Sequence, residues 1–236
     1  MLVFVDYEHE ERYAHRSGQK IQAARTWITY RLEDLSGLPC MLVRYNRITP
    51  QLLERLDAAA IFISGNGTDP DRYRSDELVT IHEIVRTTAL PMFGFCGGFQ
   101  LIAQALGATL VPLEFSPAQA EAAAAWDDEP RSGPIVRFPG GELAEFGYFP
   151  VAVTGAHPLL DGLGDQPIFR HAHGLHVPDP PAGFTVFAST EVTPVQLAVH
   201  DERRIVGAQF HPEYWTDEHR AGRTLIANFL HWAGIS

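Results

Sequence analysis

The sequence predicts an α/β fold: a mostly parallel central sheet with helices on both faces, extended by antiparallel strands in the second half of the chain. Three observations carry this. Short, almost wholly apolar runs alternate with helix-patterned segments through the first 107 residues, as expected of parallel strands buried on both faces. The pattern breaks over Leu113–Gly147, where an Ala-rich stretch gives way to Trp126-Asp127-Asp128-Glu129-Pro130 and then to glycines and prolines. Beyond it come strand-like pieces separated by turns, the signature of antiparallel hairpins.

In order, Leu2–Asp6 reads as a first strand that then turns acidic. Ile21–Leu35 is helical, with Ile21, Ala24, Ile28, Leu32 and Leu35 spaced by three or four. Cys40–Tyr45 is a strand, Pro50–Leu56 a short helix and Ala60–Ser64 a third strand. Ser75–Thr87 is a helix with Ser75 as its expected N-cap, followed by a strand at Pro91–Phe95 and a helix at Gly97–Leu106 closed by Gly107. The second half offers strands at Glu145–Thr154, Ile168–Val177, Phe184–Thr190, Val195–His200 and Ile205–Phe210. Thr216 or Asp217 is placed to cap a last helix through Trp232, with Leu225, Ile226, Phe229 and Trp232 on its inner face. Residues 1–236 are expected to form one domain, with 113–147 a variable insertion.

Composition excludes several function classes. With Lys+Arg 18 against Asp+Glu 29 the formal charge is −11, so phosphate backbones and anionic lipid are repelled, and neither nucleic acid nor membrane is an expected partner. No run approaches the ~18 apolar residues that span a bilayer. The start, MLVFVDYEHEERY, lacks the basic n-region of a signal peptide. Two cysteines, Cys40 and Cys96, make no disulfide framework, and a reducing, cytoplasmic setting is expected.

Gly94-Phe95-Cys96-Gly97-Gly98-Phe99-Gln100 runs from a strand straight into a helix. A nucleophile elbow needs this arrangement: a reactive side chain on a strained turn whose neighbours must be small. The helix start behind Cys96 favours thiolate and offers the Gly97 N–H to a developing oxyanion. Taken alone, the stretch also fits a buried thiol among packing glycines. Far along the chain lies Gln209-Phe210-His211-Pro212-Glu213. On extended backbone His211 and Glu213 share a face, so the carboxylate can set the tautomer and angle of the imidazole. Alone, that too could be a solvated turn.

Together the two segments resemble the class I, triad-type glutamine amidotransferases, whose pattern is G-x-C-x-G-x-Q followed by a strand ending in Q-F-H-P-E. The resemblance runs from Leu2 to the last helix and is weakest over Leu113–Gly147. It implies a flavodoxin-like amidotransferase architecture, with Cys96 as nucleophile, His211 as base and Glu213 as orienter. It implies glutamine as substrate, a γ-glutamyl thioester, glutamate and ammonia as products, and no metal or organic cofactor. Relatives draw a second oxyanion N–H from the turn after strand three, here Ser64-Gly65-Asn66-Gly67-Thr68-Asp69-Pro70. Asn66 is the first choice for that donor and Gly67 the second. Asn66 stands where the family usually has glycine, and asparagine is the side chain that best tolerates left-handed backbone. Gln100 matches a position that reads the amino-acid end of the substrate. Ala172 and His173, in Arg170-His171-Ala172-His173-Gly174, match the segment whose backbone holds the α-amino and carboxylate groups. With no synthetase segment in the sequence, a separate synthetase is the implied ammonia acceptor. A γ-glutamyl peptide hydrolase with the same triad, or a silent regulatory module, are the alternatives.

Other features receive plainer readings. His171 and His173 share a strand face while His176 points away, and no neighbouring carboxylate is expected, so no metal site is predicted. Glu8-His9-Glu10-Glu11 reads as a solvated acidic loop on the functional edge of the sheet, and Trp126–Glu129 as an exposed insertion.

Overall fold

The computed structural model describes residues 1–125 and 134–235. The first half alternates β1 (Leu2–Asp6), α1 (Glu10–Ala14), α2 (Gly18–Ser36), β2 (Cys40–Arg44), α3 (Pro50–Arg55), β3 (Ala60–Ile63), α4 (Ser75–Thr87), β4 (Met92–Phe95) and α5 (Gly97–Ala105). Then come β5 (Val111–Pro112), α6 (Pro117–Ala122), β6 (Ala124–Ala125), β7 (Val136–Arg137), β8 (Leu143–Pro150) and β9 (Ala152–Val153). The chain continues through β10 (Ile168–His173), β11 (Leu175–His176), β12 (Thr185–Ser189), β13 (Leu197–His200), β14 (Ile205–Ala208) and α7 (Ala221–Trp232).

The central sheet has the order β2-β1-β3-β4-β14-β13-β12-β9. β2, β1, β3, β4 and β14 run parallel, and β13, β12 and β9 add on antiparallel. The alternation of each strand divides the core. Val3, Val5, Ile61 and Ile63 pack with Ile81, Ile84, Leu101 and Ile102 of α4 and α5 on one face. Leu2, Phe4, Phe62, Phe93 and Phe95 pack with Ile28 and Leu32 of α2 and with Leu225, Ile226 and Phe229 of α7 on the other. A second sheet, β10-β8-β7-β6, and the β11-β5 pair stand beside this core.

The expected fold class is therefore the observed one, with local differences. Glu145–Thr154 is two strands, because the chain crosses between sheets at Val151, whose N–H turns to Pro167 O at 3.1 Å. Ile168–Val177 likewise divides at Gly174, with β10 pairing to β8 and β11 to β5. Ser75 is the first residue of α4 and Arg74 occupies the cap. Neither Thr216 nor Asp217 caps α7. Thr216 Oγ1 accepts instead from the His219 N–H at 3.0 Å, closing a turn of its own, and α7 begins at Ala221. The segment Glu8–Glu11 is not a solvated loop: Glu8 and His9 are buried, His9 caps α1, and only Glu10 and Glu11 face water. Trp126–Glu129 lies outside the described residues.

Candidate active site

The carboxyl ends of β1, β3, β4 and β14 converge, where α/β sheets place their ligands. Cys96 follows β4 directly, and its φ of 49° and ψ of −107° put a non-glycine residue in a strained conformation. The surroundings force this. The Cys96 N–H donates to Ala208 O of β14 at 2.7 Å, while α5 starts at the next residue. The glycines are steric necessities: a Cβ on Gly94 would sit 2.6 Å from Gly98 C, and one on Gly98 would run into Ile63 O of β3. The left-handed strain thus falls on Cys96. Asn66 is not among the positive-φ residues, so its tolerance of that region is not called upon.

His211 follows β14 and opens the 3₁₀ turn Pro212–Tyr214. Its N–H donates to Arg170 O at 2.7 Å, tying it to β10. Its ring lies beside Cys96, close enough for the two to interact electrostatically, and its Nδ1 lies 2.8 Å from Glu213 Oε1. Gly65 packs against both, since a Cβ there would be 2.7 Å from His211 Cε1 and 3.4 Å from Cys96 Cβ. Burial works against the imidazolium, but the Glu213 carboxylate and the Cys96 sulfur outweigh it and hold the His211 pKa up at about 9. Cys96 and His211, 115 positions apart in the chain, are thus brought side by side, with Glu213 hydrogen-bonded to the far side of the imidazole.

A pocket of about 800 Å³ opens above Cys96, lined by Asn66, Gly67, Gln100, Ala172 and Leu175 among others. A wider hollow of about 1020 Å³, lined in part by Gln119, Ile135 and Ser189, holds neither Cys96 nor His211. Asn66 lies against the start of α5, with its backbone N 3.0 Å from where a Cβ on Gly97 would stand. Gly67 is differently placed: its N–H donates to Glu8 Oε2 at 2.8 Å, so that donor is already engaged. Gln100 reaches the pocket, yet its Nε2 is bound to Leu175 O at 3.0 Å and Gln209 Oε1 at 3.3 Å. Ala172 O faces Cys96 Sγ at 3.9 Å. The His173 ring turns inward, with Nδ1 3.2 Å from Leu175 O and Nε2 3.1 Å from Glu145 Oε2, leaving its backbone on the pocket.

Glu145 overturns the expectation that no carboxylate neighbours the histidines. With His171 and His173 it brings three metal-capable side chains together, their donor atoms within 4.8 Å of one another. Glu145 itself is held by hydrogen bonds from side chains outside this set. The Glu145 oxygens accept from Thr190 Oγ1 at 2.6 Å, Thr193 Oγ1 at 2.7 Å and Gln196 Nε2 at 2.8 Å. His171 lies flat on Phe149, ring centroids 3.7 Å apart, and burial followed by the nearby His173 and His211 keeps it well below its usual pKa and so neutral.

Three supporting groups carried no sequence signal strong enough to find them. Arg25 lies on the buried stripe of α2 three residues before Ile28, where an apolar residue is the default. It pairs with Asp6 Oδ1 at 2.9 Å and donates through Nη2 to Gly65 O at 2.7 Å. Glu8, besides holding Gly67, accepts from Thr68 Oγ1 at 2.6 Å. Gln209, visible only as a letter in the Q-F-H-P-E stretch, points its Nε2 at Cys96 Sγ, 3.7 Å away.

Comparison with known proteins identifies the family. The family described as "Glutamine amidotransferase class-I" matches residues 22–232. A GMP synthase (glutamine-hydrolyzing) from Leifsonia xyli is 33% identical over 205 residues, covering 80% of this chain and 33% of the relative. One from Streptomyces avermitilis is 29% identical over 193 residues, covering 79% and 30%. The chain therefore spans about a third of the length of the curated relatives it matches. A crystal structure from Thermoplasma acidophilum, described as that of a GMP synthase subunit, superimposes at a TM-score of 0.69 and 22% identity, over 99% of this chain and 94% of that one. A glutamine amidotransferase from Thermotoga maritima aligns at 0.66 and 13% identity, over 98% of each. Both structures share the fold. With the family match covering nearly all of the folded sequence, the chain belongs to the class I glutamine amidotransferases.

Proposed function

We propose that this chain hydrolyses the side-chain amide of glutamine through a Cys96 thioester and supplies the ammonia to a separate synthetase. The carrying observation is that Cys96 lines an open pocket with the His211 ring beside it and Glu213 hydrogen-bonded to that ring. The Cys96 thiolate attacks the carboxamide carbon, and its oxygen takes up the negative charge. The Gly97 N–H and the Asn66 N–H stabilise that oxyanion, Gly67 being engaged elsewhere. The tetrahedral intermediate collapses as the C–N bond breaks, the His211 imidazolium giving its proton to the departing amine, so ammonia leaves. His211, now neutral, takes a proton from water. The hydroxide adds to the thioester, the C–S bond breaks, and glutamate is released with the thiolate–imidazolium pair restored. Glu213 holds the ring throughout. Gln100 and the backbone of Ala172 and His173 grip the amino-acid end.

The relatives' name joins glutamine hydrolysis to GMP synthesis, which supports a synthetase as the acceptor. The test is glutamate release from free glutamine and from γ-glutamyl amides, with Cys96→Ala as control and with extract added to supply an acceptor. Release from glutamine that vanishes in Cys96→Ala is expected. Cleavage of bulkier γ-glutamyl amides with none of glutamine would make the chain a γ-glutamyl peptide hydrolase. Failure of a glutamine-mimicking electrophile to label Cys96 would make it a silent module.

A further inference from the structure

We propose that Gln209 is a further catalytic residue: its buried carboxamide donates an N–H to the nucleophile sulfur, and Gln100 is the positioning residue that fixes its orientation. The inference rests on Cys96 being the nucleophile, as in the preceding reading. Gln209 is wholly buried, immediately beyond β14, and its N–H is anchored to Gln196 O at 2.8 Å. A buried carboxamide must satisfy an acceptor and two donors, so its direction is set by what surrounds it. Here the choice is forced from the far end. Gln100 must present Nε2 to Leu175 O, 3.0 Å away, because a carbonyl can only accept. The same Nε2 then meets Gln209 at 3.3 Å, which requires the Gln209 oxygen on that side. Gln209 Nε2 is left facing Cys96 Sγ at 3.7 Å, an ordinary N–H···S distance. A relay of two amides thus runs from the pocket-lining backbone at Leu175 to the sulfur.

An N–H aimed at sulfur discriminates between its charge states. A thiolate is a strong acceptor, a thiol a weak one, and a thioester sulfur carries no charge. The bond is therefore strongest before attack, is weakened in the acyl-enzyme, and is regained when water adds and the C–S electron pair returns to sulfur. Gln209 favours the thiolate both as the resting nucleophile and as the leaving group of the second half-reaction. His211, on the turn that follows the same strand, and Glu213 behind it are the ionisable groups that share this task.

The experiment follows the rate of Cys96 alkylation by iodoacetamide against pH, beside glutaminase kcat and KM, in wild type, Gln209→Leu and Gln209→Glu. In Gln209→Leu, alkylation near neutral pH is expected to slow about tenfold and its profile to move to higher pH, with kcat falling in parallel and KM within about twofold. Gln209→Glu keeps the size but sets an oxygen against the sulfur, and should slow alkylation further. Alkylation profiles of both variants that superimpose on wild type would overturn the proposal, because a side chain that only fills space leaves the nucleophile's charge state alone. Should Gln209→Leu fail to fold, Gln100→Leu frees the Gln209 amide to rotate and should give a smaller shift in the same direction; no shift there also overturns it. Alkylation needs no glutamine turnover. A wild-type chain that is alkylated at Cys96 yet hydrolyses no glutamine would defeat the proposed function while the profiles still decide the role of Gln209.

Discussion

Glutamine in place of Glu213 is the sharpest probe of how His211 is held. The replacement keeps the size and an oxygen for His211 Nδ1–H, 2.8 Å away, and removes only the buried charge. Burial disfavours a protonated His211, yet Glu213 and the Cys96 sulfur carry its pKa from 6.5 to about 9. The folded value lies above the unfolded one, so the native state binds this proton more tightly. The resulting stability is fully present below about pH 6.5 and is lost as pH rises through about 9. A gap of about two and a half pH units, at ~1.4 kcal/mol per unit, is roughly 3.5 kcal/mol. Glu213 is the stronger of the two attracting charges, so Glu213→Gln should remove more than half of it, about 2 kcal/mol. The assay is urea unfolding of both proteins from about pH 6 to about pH 10. Other titrating groups cancel in the difference between the curves, and the desolvation cost of Glu213 itself is constant across that window. The stability difference between wild type and Glu213→Gln should shrink by about 2 kcal/mol as pH rises. A difference that does not change with pH would refute the reasoning, since Glu213 would then act on His211 by a neutral hydrogen bond alone. In the same variant glutaminase kcat/KM should fall by roughly two to four orders of magnitude.

Three further outcomes are expected. Burial, with Glu33 nearby, pushes the Cys40 thiol up to about 12, so iodoacetamide at about pH 8 should label Cys96 alone, and mass spectrometry of Cys96→Ala should find no adduct. Gly98→Ala drives a Cβ into Ile63 O, a backbone atom that cannot yield, and should cost about 2 kcal/mol in unfolding free energy, read as a lower Tm. Arg25→Met strands the buried Asp6 carboxylate and should cost about 3–5 kcal/mol. Adding Asp6→Asn should recover part of that stability but not the glutaminase rate, because Gly65 O still lacks the Arg25 donor.

What the sequence made legible follows from which forces leave a local trace. The parallel strands were visible because Leu2–Asp6, Ala60–Ile63 and Met92–Phe95 are buried on both faces and so read as continuous apolar runs. Cys96 was visible because the elbow needs glycine at positions 94 and 98, where any Cβ meets backbone. The strand division at Val151 was not, because Phe149, Val151 and Val153 keep the same alternation while passing between two sheets. Arg25 and Glu145 were silent for a deeper reason. A charge on a strand or helix is expected to be solvated, and only tertiary structure shows that Asp6 and Gly65 wait for one, and Thr190, Thr193 and Gln196 for the other. The reason the sequence suggested for Asn66 in the turn, tolerance of left-handed backbone, does not apply. Its backbone is not left-handed; its side chain instead ties the turn together by donating to Thr68 O at 2.8 Å and Tyr73 Oη at 3.0 Å.

These buried polar groups share a logic. Arg25, Glu8, Gln100 and His173 each terminate on main chain in the pocket lining or next to it: Arg25 on Gly65 O, Glu8 on Gly67 N–H, Gln100 and His173 on Leu175 O. A buried ion pair or carboxylate adds little net stability over well-packed apolar side chains. Its value here is directional. The peptide between Gly65 and Asn66 is held by its carbonyl from two sides, Arg25 at 2.7 Å and Ser64 Oγ at 2.9 Å, and because a trans peptide points its N–H opposite its carbonyl, fixing one aims the other. Pre-set dipoles that need no reorganisation during the reaction are what an oxyanion demands. Substitutions at Arg25 or Glu8 should therefore act on turnover through the geometry of the backbone they hold, and isosteric variants that keep those contacts should keep the rate even where the charge is gone.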